Sequence, residues 1–169
     1  MIILLGYMGS GKSSVGEYLN RKHNLSYCDL DNYIEKQEHK TIADIFKSEG
    51  EIYFRKIESQ YLKEILKKNA VDVLSLGGGT PCYAGNMDII KQHNAQSFYL
   101  KVDLKTLTQR LFLQKEERPL IAGIDSEDTL KDFIRKHLFE REFYYRQAHH
   151  IIDTTDLSVD MTAIRILDH

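Results

Sequence analysis

Hydrophobic positions along the chain follow two rhythms. Short, largely apolar runs at Ile2-Ile3-Leu4-Leu5, Leu25-Ser26-Tyr27-Cys28, Val71 to Leu76, Ser97 to Val102 and Ile151-Ile152 read as buried strands. Between them, apolar residues recur at helical spacing. Val15, Tyr18 and Leu19 mark a helix from Val15 to Lys22. Asn32 to about Glu38 is helical, and Thr41 caps a helix through Phe46 that ends near Gly50. Ile52, Phe54, Ile57, Tyr61, Leu62, Ile65 and Leu66 form a stripe along Glu51 to Lys68. Further helices are expected near Ala84 to Gln92, from a cap at Asp103 to about Leu113, from Ser126 or Asp128 to about His149, and after a cap at Ser158. Strands alternating with helices predict a three-layer α/β/α fold with a five-stranded parallel sheet. Ligand sites then belong at the C-terminal strand ends.

Length and charge narrow this picture. The 169 residues suit one domain spanning 1–169. A net charge of −2 gives no electrostatic reason to expect nucleic acid or an anionic membrane as partner. No apolar run approaches the roughly 20 residues of a membrane span. The first strand begins at the N-terminus and leaves no room for a leader, so a cytoplasmic location is expected. Cys28 and Cys82 form neither a disulfide framework nor a metal motif and read as buried packing residues.

The first strand runs directly into Gly6-Tyr7-Met8-Gly9-Ser10-Gly11-Lys12-Ser13, the pattern G-x-x-x-x-G-K-S, and then into a helix. Backbone N–H groups of such a turn, with the helix N-terminus behind them, cradle a polyphosphate. Gly9, Ser10, Gly11, Lys12, Ser13 and Ser14 are the candidate ATP-binding residues. Lys12 reaches the β- and γ-phosphates, and the Ser13 hydroxyl ligates Mg²⁺.

Asp29 and Asp31 sit two apart at the end of the second strand, where extended spacing turns both side chains to one side. One can hold Mg²⁺ and the other accept the proton of an attacking hydroxyl; alternatively one of them caps the next helix. Arg55 and Glu58 are spaced as an i,i+3 surface ion pair, and Arg118 and Arg141 taken singly are ordinary surface cations. As a set they suit carboxylate capture and charge stabilisation on a moving phosphoryl group. Gly77-Gly78-Gly79 follows a strand and is either a close-approach site or a flexible turn. Residues 114–124, polar at first and carrying Arg118-Pro119 and Gly123, read as a mobile loop.

Taken together and in order, these features resemble shikimate kinase, a small P-loop kinase of the nucleoside-monophosphate-kinase type. The matching residues are Gly6 to Ser13, Asp29-x-Asp31 followed by Ile34-Glu35, Phe54-Arg55-x-x-Glu58, Ser75-x-Gly77-Gly78-Gly79, Arg110, Arg118-Pro119-Leu120, Arg141, Tyr145 and Ile151-Ile152-Asp153-Thr154. The resemblance implies a P-loop NTPase fold with a substrate-binding helical segment at about 32–61 and a lid at about 114–124. It implies ATP-dependent phosphorylation of the 3-hydroxyl of shikimate, in aromatic amino-acid synthesis, by a monomer. By position, Asp31, Arg55, Gly77, Gly78, Gly79 and Arg141 bind shikimate, with Phe46 and Phe54 lining the pocket. Ser13 and Asp29 organise Mg²⁺. Lys12, Asp31 and Arg118 are catalytic, with Arg118 also an ATP contact, and Arg110 lies against adenine. The family's Arg-x-Pro-x-Tyr is here Arg141-Glu142-Phe143-Tyr144-Tyr145, and without the proline the helix is free to run on. His149 and His150 lack metal spacing and are expected near a strand start. Rival readings are a gluconate-type kinase on the same scaffold and a GTPase-like switch. The latter would carry Asp-x-x-Gly and Asn-Lys-x-Asp, and neither string occurs.

Overall fold

The computed structural model describes residues 1–118 and 120–169. Pro119, within the Arg118-Pro119-Leu120 match, lies outside the described residues. The strands are β1 (Ile2–Leu5), β2 (Tyr27–Asp29), β3 (Val73–Ser75), β4 (Gln96–Lys101) and β5 (His150–Asp153). They form one parallel sheet in the order β2-β3-β1-β4-β5. The helices are α1 (Lys12–His23), α2 (Leu30–Glu38), α3 (Ile42–Lys68), α4 (Asn86–Gln92), α5 (Leu104–Leu113), α6 (Glu127–Tyr145) and α7 (Val159–Leu167).

Strand period decides which residue faces which layer. In β1, Ile3 and Leu5 join one core with α2 to α6, while Leu4 turns to the other face against Val15 and Leu19 of α1 and Ala163 and Ile166 of α7. In β4, Tyr99 faces the first core, and Phe98 and Leu100 the second. Both faces are therefore apolar, as a covered parallel sheet requires. The central β1 has β3 on one side and β4 on the other, so the chain reverses direction across the sheet there. The loop leaving β1 opens into that crevice.

Several boundaries differ from the expectation. The second strand ends at Asp29, and α2 begins at Leu30, so Asp31 stands in the first helical turn and not in extended chain. The two helices expected on either side of Gly50 run on as one element with a sharp kink, Gly50 having φ 81° and ψ 175°. Ala84 (φ 52°) and Gly85 (φ 67°) are both left-handed and delay α4 to Asn86. The helix expected to reach His149 stops at Tyr145, closed by hydrogen-bonded turns at Gln147 and Ala148 even without proline. His150 opens β5 as expected, and His149 is fixed beside it, its Nδ1 accepting from the Ser97 amide at 3.2 Å. The loop at 114–124 contains a 3₁₀ turn (Lys115–Glu117) and anchors Ile121 in the core. Cys28 and Cys82 are only partly buried, not core residues; burial still raises both thiol pKa values, that of Cys82 to about 11.

Candidate active site

At the end of β1, the chain turns through Gly9 (φ 78°) and Gly11 (φ 93°), left-handed positions that disfavour any side chain. Gly11 then serves as the N-cap residue of α1. Lys12 is folded back over the loop, its Nζ donating to the carbonyls of Gly6 at 2.9 Å and Tyr7 at 3.0 Å. Burial draws the Lys12 pKa down to about 8, against the opposing pull of Asp31 and Asp29. Ser13 and Ser14 are exposed at the mouth of the turn, while Ser10 is buried with its hydroxyl unpartnered.

Asp29 has two tasks. One carboxylate oxygen caps α2, accepting from the Asp31 amide at 3.0 Å and the Asn32 amide at 3.3 Å. The other accepts from the Ser13 hydroxyl at 3.1 Å and the Tyr27 hydroxyl at 3.3 Å. The capping alternative open for the acidic pair thus falls to Asp29, and it leaves an oxygen facing the phosphate loop. The Ser13 hydroxyl and that oxygen are hard donors of the kind Mg²⁺ accepts alongside water and phosphate oxygens. Among the described residues no group of three or more His, Cys, Asp or Glu could hold a metal without such added ligands.

Asp31 is free of the cap and faces the crevice. Burial, with Asp29 and Glu58 nearby, raises its pKa from 3.8 to about 7, while Lys12 and Arg55 act the other way. It stands close to Gly77, where an added Cβ would lie 2.8 Å from Asp31 Oδ1.

Two clefts meet here. The first, of about 460 Å³, is lined by the phosphate loop with Asp29, Asp31, Arg110, Gln114 and Arg118 among others. Arg110 donates to the Gly9 carbonyl at 3.3 Å, and Val159 closes the same cleft. The second, of about 290 Å³, is lined by Phe46, Phe54, Arg55, Gly79, Leu120 and Arg141 among others. They share Met8, Asp31, Gly77, Gly78 and Arg118. The larger suits a nucleotide triphosphate arm, and the smaller a compact metabolite.

The arginines are individually placed. Arg55 Nη1 lies 2.9 Å from Glu58 Oε2, and Glu58 is 1% exposed. The pair expected as a weak surface contact is instead buried, where removing one partner strands a charge. Arg141 sits 5.8 Å from the Tyr7 ring centroid and has no carboxylate within ion-pair distance among the described residues. Arg118 reaches Gln114 at 3.5 Å, and its buried Nε lacks a partner. In the triple glycine the close neighbour is the protein's own Arg55: an added Cβ on Gly79 would lie 2.9 Å from both terminal nitrogens of Arg55. Tyr145 is fully buried, and its hydroxyl donates to the Gly78 carbonyl, tying the end of α6 to that turn.

All the site residues expected from sequence lie in this crevice except Ser10, whose side chain turns into the loop. Sequence reasoning gave no role to Glu58, Thr80 or Tyr145. Phe54-Arg55-x-x-Glu58 and Tyr145 stood among the matched motifs, so the signal for two of the three was present.

Comparison with known proteins agrees with this geometry. The family model for shikimate kinase matches residues 8–169. A shikimate kinase of Flavobacterium johnsoniae is 44% identical over 167 residues, covering 99% of this chain and 96% of that protein. The solved shikimate kinase from Bacteroides thetaiotaomicron superposes with a TM-score of 0.89 at 34% identity, covering 99% of this chain and 96% of the other. A shikimate kinase from Acinetobacter baumannii, solved in complex with shikimate, gives a TM-score of 0.86 at 33% identity, covering 99% and 90%. The chain belongs to the shikimate kinase family.

Proposed function

We propose that this crevice transfers the γ-phosphoryl group of ATP in line to the 3-hydroxyl of shikimate, giving shikimate 3-phosphate and ADP, a step of aromatic amino-acid biosynthesis. The observation that carries the residue assignment is the wall common to the two clefts, where Asp31 and Arg118 border both. A phosphoryl group passing from one cleft to the other travels beside those two side chains.

The phosphate-loop amides, Lys12, Ser13 and Ser14 hold the phosphates, and Arg110 lies beside the adenine. Ser13 and Asp29 hold Mg²⁺, which when bound neutralises phosphate charge. Arg55 and Arg141 fork the shikimate carboxylate, with Phe46 and Phe54 against the ring and Gly77 to Gly79 leaving room for it. Asp31 orients the attacking hydroxyl and, with a pKa near neutrality, accepts its proton as the bond forms. Lys12 and Arg118 stabilise charge on the transferred group. The segment at 114–124 acts as a lid that excludes water, which would otherwise take the phosphoryl group. The protein positions and neutralises, so no covalent enzyme intermediate forms. The reading includes a monomer working in the cytoplasm. Among the described residues no helix is long and apolar enough to cross a membrane.

The carboxylate clamp is tested with shikimate methyl ester as acceptor and with Arg55→Lys. The ester and the variant should each raise the acceptor KM by about tenfold or more, because a point charge cannot replace a planar fork. Equal KM for acid and ester would remove Arg55 and Arg141 from that role.

A further inference from the structure

The Arg55 side chain is held on several sides at once; one of the groups that hold it, and the residue that orients another, come from the turn after the triple glycine. That turn begins with a 3₁₀ segment, Thr80–Cys82, closed by the Cys82 amide donating to the Gly79 carbonyl at 2.9 Å. Tyr83 then extends (φ −121°, ψ 159°), and its ring centroid lies 4.1 Å from Arg55 Cζ, within cation–π range. On the guanidinium edge, Nη1 meets Glu58 at 2.9 Å. The other oxygen of Glu58 accepts from the Thr80 hydroxyl at 2.6 Å. Thr80 is fully buried, and its carbonyl accepts from Asn86 Nδ2 at 2.9 Å, which ties the turn to the start of α4. The missing Cβ of Gly79 lets the turn lie close against the guanidinium, where a Cβ would stand 2.9 Å from both terminal nitrogens.

A free arginine loses substantial rotamer entropy when it is fixed for binding. Here that ordering is done before any ligand arrives. Tyr83 lies against the guanidinium, Glu51 meets its Nε at 3.4 Å, and Glu58 holds Nη1, the Glu58 carboxylate being itself oriented by Thr80. We infer that the turn Thr80–Tyr83 positions Arg55 for the substrate carboxylate, Tyr83 by stacking and Thr80 through Glu58. The inference rests on the assignment of Arg55 to that carboxylate.

The test is steady-state kinetics of the full chain with varied shikimate and varied MgATP, for Tyr83→Leu, Tyr83→Phe, Thr80→Val, Thr80→Ser and Arg55→Ala. Tyr83→Leu should raise the shikimate KM about three- to fivefold, with kcat and the MgATP KM within about twofold of wild type. Tyr83→Phe should keep the wild-type KM, since the ring face and not the hydroxyl meets the guanidinium. Thr80→Val should raise the shikimate KM about tenfold, and Thr80→Ser should restore most of it. If Thr80→Val does not fold, the half-exposed Tyr83 pair decides the matter. Three results would overturn the inference: Tyr83→Leu with wild-type shikimate KM, Tyr83→Phe as impaired as Tyr83→Leu, or loss of kcat and MgATP affinity in proportion to shikimate. Arg55→Ala separates the two levels. If Arg55→Ala leaves the shikimate KM unchanged, the carboxylate assignment fails and the inference with it. If Arg55→Ala raises it strongly while Tyr83→Leu does not, the inference alone fails.

Discussion

Replacing Asp31 by Asn should make the ligand-free protein more stable and the enzyme nearly inactive. Burial and the neighbouring carboxylates raise the Asp31 pKa from 3.8 to about 7. The folded-state value lies above the unfolded one, so over that window the native state binds more protons than the unfolded chain, and stability falls as pH rises. Summed over the shift, ionised Asp31 costs the fold about 4 kcal/mol at pH 8 but under about 2 kcal/mol at pH 5. Asn removes that cost. The attraction of Lys12 for ionised Asp31 is already contained in that pKa of about 7 and does not reduce the gain a second time. The expectation is a gain of up to about 4 kcal/mol at pH 8 and under about 2 kcal/mol at pH 5. The chain has no tryptophan, so urea unfolding followed by far-UV circular dichroism at the two pH values is the assay. In the same variant kcat should fall by about a hundredfold, since an amide cannot accept the hydroxyl proton. A variant less stable than wild type at pH 8, or equally stabilised at both pH values, would refute the reasoning.

Two further substitutions probe the wall shared by the clefts and the Arg55 side of the smaller one. Arg118→Ala should lower kcat by about a hundredfold while shikimate affinity changes little; a large loss of shikimate affinity at unchanged kcat would contradict a role on the moving phosphoryl group. Gly79→Ala places a Cβ 2.9 Å from the Arg55 guanidinium nitrogens and should raise the shikimate KM without altering that for MgATP; an unchanged shikimate KM would show that the fork has room to shift.

The fold and the phosphate loop were legible because their signals are local. Apolar runs at Ile2 to Leu5 and Ser97 to Val102, and glycine spacing before Lys12, need no knowledge of distant residues. The acidic pair was half legible: a strand-like spacing suggested a shared side, but the helix begins one residue after Asp29, and the cap consumes one oxygen of Asp29 while freeing Asp31. What stayed hidden depends on contacts between elements far apart in the chain. Glu58 reads as a surface partner of Arg55 until α3 is packed against the turn at Thr80. Likewise the choice between close approach and flexible turn at Gly79 stays open in the sequence, which does not show Arg55 lying against it. The helix expected to run on to His149 stops at Tyr145, whose buried hydroxyl bonds Gly78 and fixes the end of α6 beside the crevice.

The central claim is phosphoryl transfer between the two clefts to a specific acceptor. It is tested most directly by ADP formation from MgATP with shikimate, with gluconate and with no acceptor. ³¹P and ¹H NMR of the product would identify the esterified hydroxyl. The account predicts turnover dependent on shikimate, phosphate on its 3-hydroxyl, and only background ADP in the other two arms. Turnover with gluconate but not shikimate, or ADP release indifferent to any acceptor, would contradict it.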